Sequence, residues 1–252
     1  MITRDALARL ARLMQRVPPA QPARPSTLTA ARLLACPGAG LLLDLDGTLI
    51  DSEPVHRRAY GEYFAGRGWQ VDDQVIAKFS GRRAPEVFAT LQGPWIGEDP
   101  VALTEGVLEA LRGTTLRPAP VAGAVRLIAA STLAGLPVAV VTSARRGWVS
   151  AALDLLGIDD GAIMMVTAED CSCGKPDPEP FRRGADLLGL RPADLVAAED
   201  APAGIASARG AGIGQVIGLT TTNPASVLVA AGAHATAPDL VALAGVVEEL
   251  NR

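Results

Sequence analysis

This 252-residue chain is poor in the residues that mark several classes of protein. Cysteine occurs three times, an odd count that argues against a disulfide scaffold and fits a reducing cytoplasm. Histidine occurs twice. Cys171-Ser172-Cys173 therefore lacks partners for a Cys/His metal site, with Cys36 far off in sequence, and the thiols read as incidental. No apolar run approaches the roughly 18 uninterrupted residues that a membrane span requires. No long apolar segment near the start marks a secretory signal. Net charge is −4, which gives no global field toward nucleic acid or an anionic membrane. No internal repeat is visible. Apolar residues, by contrast, are plentiful: at 49% hydrophobic content the chain can bury a sizeable core, as one domain or a domain with an insert.

Charge is uneven along the chain. Residues 1–40 carry six arginines and one acid, Asp5, a local +5 against −9 for the remainder. Leu7, Leu10, Met14 and Val17 fall at helical spacing among Arg4, Arg9, Arg12 and Arg16, which predicts an amphipathic helix. Pro18-Pro19 ends it, and Pro22 and Pro25 continue an extended linker. A second short helix is expected over Ser26–Leu34. An Arg-rich, acid-poor amphipathic start is also the pattern of a transit peptide or a membrane-surface helix. The stretch reads rather as a basic extension, either mobile or packed on the domain or on a partner subunit.

The chain is organised around Leu41-Leu42-Leu43-Asp44-Leu45-Asp46-Gly47-Thr48-Leu49-Ile50-Asp51. A short continuous apolar run suits a strand buried on both faces of a parallel sheet. Gly47 breaks it at the carboxyl end, where open α/β sheets bind ligands. Asp44 and Asp46 alternate onto one side and repel each other unless a cation joins them or one holds a proton. Three later stretches add to this. Pro137–Ser143 is a buried strand ending in the hydroxyls of Thr142 and Ser143, which can donate to a phosphoryl oxygen without adding charge. Leu195–Asp200 is another, ending in the hard oxygen ligands Glu199 and Asp200. Lys175 stands among Pro176, Pro178 and Pro180, a frame that restricts the backbone around a point charge able to neutralise a carboxylate and a phosphoryl group together. Taken singly, these are an acidic turn, a helix-capping hydroxyl and a solvated lysine.

Between the first two strands the pattern turns helical. Ala59, Tyr60, Tyr63 and Phe64 form one apolar stripe, and further helices are expected over 72–79, 85–91 and 99–111, punctuated by Pro85, Pro94 and Pro100. Ser80-Gly81-Arg82-Arg83 falls in a turn between them, and a guanidinium fork there suits sugar hydroxyls or a second anionic group. Gly210-Ala211-Gly212-Ile213-Gly214 follows a helix and precedes a strand, the wrong order for a dinucleotide fingerprint. His234 reads as structural.

Asp-x-Asp-Gly-Thr-Leu-x-Asp-Ser at 44–52 resembles the first motif of the haloacid dehalogenase (HAD) superfamily. Val-Thr-Ser at 141–143, Gly-Lys-Pro-Asp-Pro at 174–178 and Glu-Asp-Ala-Pro-Ala-Gly-Ile at 199–205 resemble the other three, in forms similar to those of sugar-phosphate phosphatases. Val121-Ala122-Gly123-Ala124 departs slightly, since many relatives have Pro-Gly-Ala there. The resemblance covers roughly residues 41 to 250. It implies an α/β fold, a Rossmannoid parallel sheet over 41–52 and 119–252 with a helical cap inserted at 53–118. It also implies Mg²⁺-dependent hydrolysis of a small phosphate monoester, a sugar or polyol phosphate, through a phosphoaspartate on Asp44. Asp46 would be the acid and base, and Thr142 and Lys175 would hold the phosphoryl oxygens. Thr48, Ser143, Arg82, Arg83 and His56 would contact the substrate. Asp44, the carbonyl of Asp46, Asp200 and Glu199, the last directly or through water, would hold the metal.

A similar beta-phosphoglucomutase-like isomerase would share every core residue. A dehalogenase would need no acid at Asp46, and a phospho-accepting signalling receiver lacks a cap. The expected partner is a small phosphorylated metabolite, with no nucleic acid or membrane, in a cytoplasmic monomer or homodimer.

Overall fold

The computed structural model describes residues 25–250, with side chains from residue 29. The amphipathic helix expected over 7–17 and the linker as far as Pro22 lie outside these residues; Pro25, expected in the linker, instead opens a helix.

Helix α1 (Pro25–Leu34) leads into strand β1 (Gly40–Leu43), and a short strand β2 (Ile50–Asp51) follows. Four helices come next: α2 (Glu53–Gly66), α3 (Asp73–Ile76), α4 (Ala84–Thr90) and α5 (Pro100–Gly113). The chain returns through β3 (Ala119–Pro120), α6 (Ala124–Ala134), β4 (Val138–Val141), α7 (Arg146–Leu156) and β5 (Met164–Val166). It closes with α8 (Glu179–Leu188), β6 (Leu195–Glu199), α9 (Pro202–Gly210), β7 (Gln215–Leu219), α10 (Ala225–Ala230), β8 (Ala235–Ala237) and α11 (Val241–Glu249).

Six strands form one sheet in the order β5-β4-β1-β6-β7-β8, and every neighbouring pair is parallel. Leucines at 41, 42 and 43 are wholly buried because helices cover both faces. Leu41 and Leu43 pack with α1, α6, α7 and α11, whereas Leu42 faces α8, α9 and α10. That alternation is the period-two geometry of a strand. The stretch 25–34, taken from sequence as part of a basic extension, docks on the sheet domain: Ala30 and Leu34 are buried in the first of these clusters.

The helical insert has its own core, built from Phe64, Phe79, Phe88 and Trp95 with smaller residues around them. Seven of the chain's nine aromatic residues lie in it, because about sixty residues close a core only with large side chains. Trp95 stacks on Phe64 at 5.3 Å and 17°. The helix expected over 72–79 divides after Ile76 into a 3-10 turn, Ala77–Phe79, and Asp72 caps its start by accepting from the Gln74 amide at 2.7 Å. Strands β2 and β3 pair antiparallel where the chain enters and leaves the insert.

Candidate active site

The parallel register sets the carboxyl ends of β1, β4 and β6 side by side, with Leu43 opposite both Val140 and Ala198. Asp44, Thr142 and Asp200 each lie just past a strand end, and all three are buried. Lys175, on the loop between β5 and α8, reaches the same point and is itself wholly buried. Its Nζ donates to Asp44 Oδ1 at 2.6 Å, Glu199 Oε1 at 2.7 Å and the Val141 carbonyl at 2.9 Å. Three acceptors satisfy its three donors. Burial alone would drive the proton off the amine, but the Asp44 and Glu199 carboxylates outweigh it and hold Lys175 charged well above the ordinary lysine range.

One ammonium does not balance three acids. Among the described residues, Asp44, Glu199 and Asp200 bring ligand oxygens within 4.8 Å of one another, all buried. Burial, with Glu199 and Asp46 adding repulsion against the pull of Lys175, pushes the Asp44 carboxyl up to about 8. Burial and the charges of Glu199 and Asp44 raise Asp200 well above the carboxylate range. Asp44 Oδ2 and Asp200 Oδ1 have no partner in the protein. Buried, unpaired carboxylate oxygens facing a surplus of negative charge suit a hard divalent cation, so the residues present fit a metal ion. Glu199 fits less well as a direct ligand, because Oε1 accepts from Lys175 and Oε2 from the Ala201 amide at 2.8 Å. Two glycines make the room. A methyl group on Gly204 would overlap Glu199, and one on Gly47, which sits at φ +81°, would overlap the Asp200 carboxylate.

Asp46 stands apart from this cluster, at the wall of a cavity of about 800 Å³ between the carboxyl ends of the strands and the insert. Its Oδ1 accepts from Ser52 Oγ at 2.6 Å and from the Trp148 indole at 2.8 Å. His56 Nε2 lies 3.8 Å away, and its ring packs on Trp148 at 5.2 Å. Sequence reasoning missed both donors. Ser52 was visible as the last residue of the first motif, whereas Trp148 reads simply as an apolar position on a helix.

A model of the haloacid dehalogenase-like hydrolase family matches residues 39–212, which include every residue described so far at this site. The chain belongs to that family. Among relatives of this hydrolase is validoxylamine A 7'-phosphate phosphatase of Streptomyces hygroscopicus subsp. limoneus, 38% identical over 75% of this chain and 89% of the relative. Hexitol phosphatase A of Escherichia coli is 36% identical over 69% of this chain and 79% of its own length. The crystal structure of a hydrolase from Pseudomonas syringae superposes with a TM-score of 0.77 at 25% identity, covering 85% of this chain and all of the other.

The remaining residues expected to touch substrate divide in this hydrolase. Arg82 lines the cavity, and its buried Nε has no partner in the protein. His56 also lines it. Thr142 lines it too, its oxygen accepting from the Ala144 amide at 3.0 Å, which leaves the hydroxyl proton to donate elsewhere. Ser143 lines it as well, with its hydroxyl donating to the Gly81 carbonyl of the insert at 3.0 Å. Arg83 also borders the cavity; its terminal Nη2 donates to the carbonyls of Ala168 and Cys171 at 2.8 and 3.0 Å, while its buried Nε, like that of Arg82, has no partner in the protein. Thr48 is wholly buried and is not among the residues lining the cavity.

Proposed function

We propose that this hydrolase is a Mg²⁺-dependent phosphatase that cleaves a small sugar or polyol phosphate through an aspartyl phosphate on Asp44. The observation that carries this reading is the Asp44 carboxylate itself: one oxygen bound to the buried Lys175 ammonium, the other buried and unpaired at the mouth of the cavity. The named activities of the relatives, a validoxylamine phosphate phosphatase and a hexitol phosphatase, support a polyhydroxylated substrate.

The Asp44 carboxylate attacks phosphorus, and the bond from phosphorus to the ester oxygen breaks as Asp46 gives that oxygen a proton. Asp46 then takes a proton from the water that attacks the same phosphorus, releasing phosphate and freeing Asp44. Ser52 and Trp148 grip Asp46 by one oxygen, which fixes its carboxyl group toward the cavity. The Thr142 hydroxyl donates to an equatorial oxygen, and the Lys175 ammonium, bound to Asp44, offsets the negative charge that gathers there. Magnesium, held by the free oxygens of Asp44 and Asp200, would offset the repulsion between that carboxylate and the incoming phosphate. The helical insert serves as a cap over residues 53–118. It excludes bulk water and presents Arg82 and His56 to the part of the substrate that does not react.

A panel of sugar, polyol and nucleotide phosphates, assayed with and without Mg²⁺, tests the reading. Asp44→Asn should lower turnover by at least about 10³-fold with folding intact by circular dichroism. Retained magnesium-dependent activity in that variant removes Asp44 as nucleophile. Phosphorus NMR with glucose 1-phosphate separates release of inorganic phosphate from return of the phosphoryl group to the sugar.

A further inference from the structure

The turn at 80–83 and the start of α4 touch the sheet domain at three places, each next in sequence to a site residue. The Gly81 carbonyl accepts from Ser143, the neighbour of Thr142. Gly81, at φ +71°, lies so close to Ala201, the neighbour of Asp200, that a Cβ there would come within 2.5 Å of the alanine methyl. Gly174, the neighbour of Lys175, donates its amide to Glu86 Oε1 at 2.9 Å. A Cβ on Gly174 would come within 2.8 Å of both Arg83 and Glu86, so glycine lets the two side chains lie against the backbone there.

Arg83 extends this grip. Its guanidinium donates to Ala168 and Cys171 as above and to the Ser172 carbonyl at 3.4 Å, with Glu86 Oε1 3.5 Å away. A planar fork can span several carbonyls of one turn, whereas a lysine offers a single point charge. From the opposite side, Glu179 at the start of α8 accepts from the Ser172 and Cys173 amides at 3.0 and 2.7 Å. Segment 168–174 is thus clasped between α8 and the insert, and the next residue is Lys175.

We infer that Arg83 and Glu86 form a latch: when the insert seats on the core, they fix segment 168–174 and through it the approach of Lys175 to Asp44. Both are positioning residues and not substrate ligands. The kinetic consequence rests on the phosphatase reading; the structural consequence does not. The bonds form only with the insert seated, so their free energy favours closure and is applied to the loop that carries the buried cation.

The test uses the full chain with Arg83→Gln, Glu86→Ala and Glu86→Gln. Hydrogen exchange of the amides in 168–175 should quicken on the order of tenfold or more in Arg83→Gln and Glu86→Ala. It should stay near the parent rate in Glu86→Gln, whose amide oxygen still accepts from Gly174. With p-nitrophenyl phosphate and with a hexitol phosphate, the first two variants should lose kcat by one common factor, on the order of 10–100-fold, with KM little changed. Glu86→Gln should recover most of it. Unchanged exchange in Arg83→Gln overturns the latch. So does a loss confined to KM for the hexitol phosphate with the aryl phosphate untouched, since that makes Arg83 a substrate ligand. If the parent protein hydrolyses neither ester, the phosphatase reading fails while the exchange measurement still decides the latch.

Discussion

At the scale of single residues, the site is a problem of charge in a place without water. Asp44, Glu199 and Asp200 surround one ammonium, and the two orphaned oxygens mark where compensation is missing. In the folded, metal-free chain the Asp44 proton is held up to about pH 8, whereas an unfolded aspartate loses it near 3.8. Across that window the folded state binds the extra proton, so metal-free stability falls as pH rises through it. A magnesium ion held by Asp44 would have to displace the same proton, so its apparent affinity would rise with pH over the same range. Thermal melts with and without Mg²⁺ should therefore show a larger stabilisation at about pH 8 than at about pH 5.5. Equal shifts at both would take Asp44 out of the ligand set. Lys175 stands out in the sequence because its proline frame is local, and the structure places it against Asp44. That it also binds Glu199, which leaves Glu199 less suited to hold a metal directly, depends on where β6 lies beside β1.

Among elements, the strands of the sheet do the positioning, and α7 supplies what the strands cannot. Trp148 stands in the first turn of α7 and sends its indole N–H to Asp46, 102 residues away in sequence. Trp148→Phe keeps an aromatic ring against His56 but removes that donor. We expect kcat to fall on the order of tenfold through a less well held Asp46, with thermal stability little altered. Steady-state kinetics beside a melting curve checks this; parent kcat would leave Ser52 as the sufficient anchor. Helical periodicity marks Trp148 only as apolar, since a pattern of faces carries no information about which acid an indole will meet. Strand ends are different. Apolar runs that stop at Asp44, Thr142 and Asp200 announce both the element and the polar residue at its mouth.

At the scale of the whole molecule, two cores meet across a cavity of about 800 Å³. The sheet domain is built largely from aliphatic side chains, the insert from stacked and edge-on rings. Trp95 is almost wholly buried among those rings, with its indole bonded to the Leu91 carbonyl at 2.9 Å. Trp95→Ala should cost about 3–5 kcal/mol of stability within the insert. Hydrogen exchange should show lost protection over 53–113 while β1, β4 and β6 keep theirs. Uniform loss across both would mean that the two cores unfold as one. Activity should fall with the insert, because Arg82, Arg83 and Glu86 lose their scaffold together.

The sequence by itself determined the sheet, the helical insert and which residues stand at the strand ends, because each is written within a few neighbours: apolar runs, breaking glycines and a proline-framed lysine. Only the tertiary structure decided how the polar side chains pair. Lys175 meets Asp44 across 131 positions, Gly174 meets Glu86 across 88, and Arg83 reaches from the cavity wall to the carbonyls of the loop before Lys175. A guanidinium or carboxylate looks the same in sequence whichever partner it finds. Its partner is fixed by how closely the insert seats on the carboxyl ends of the strands and by which oxygens are then left without water.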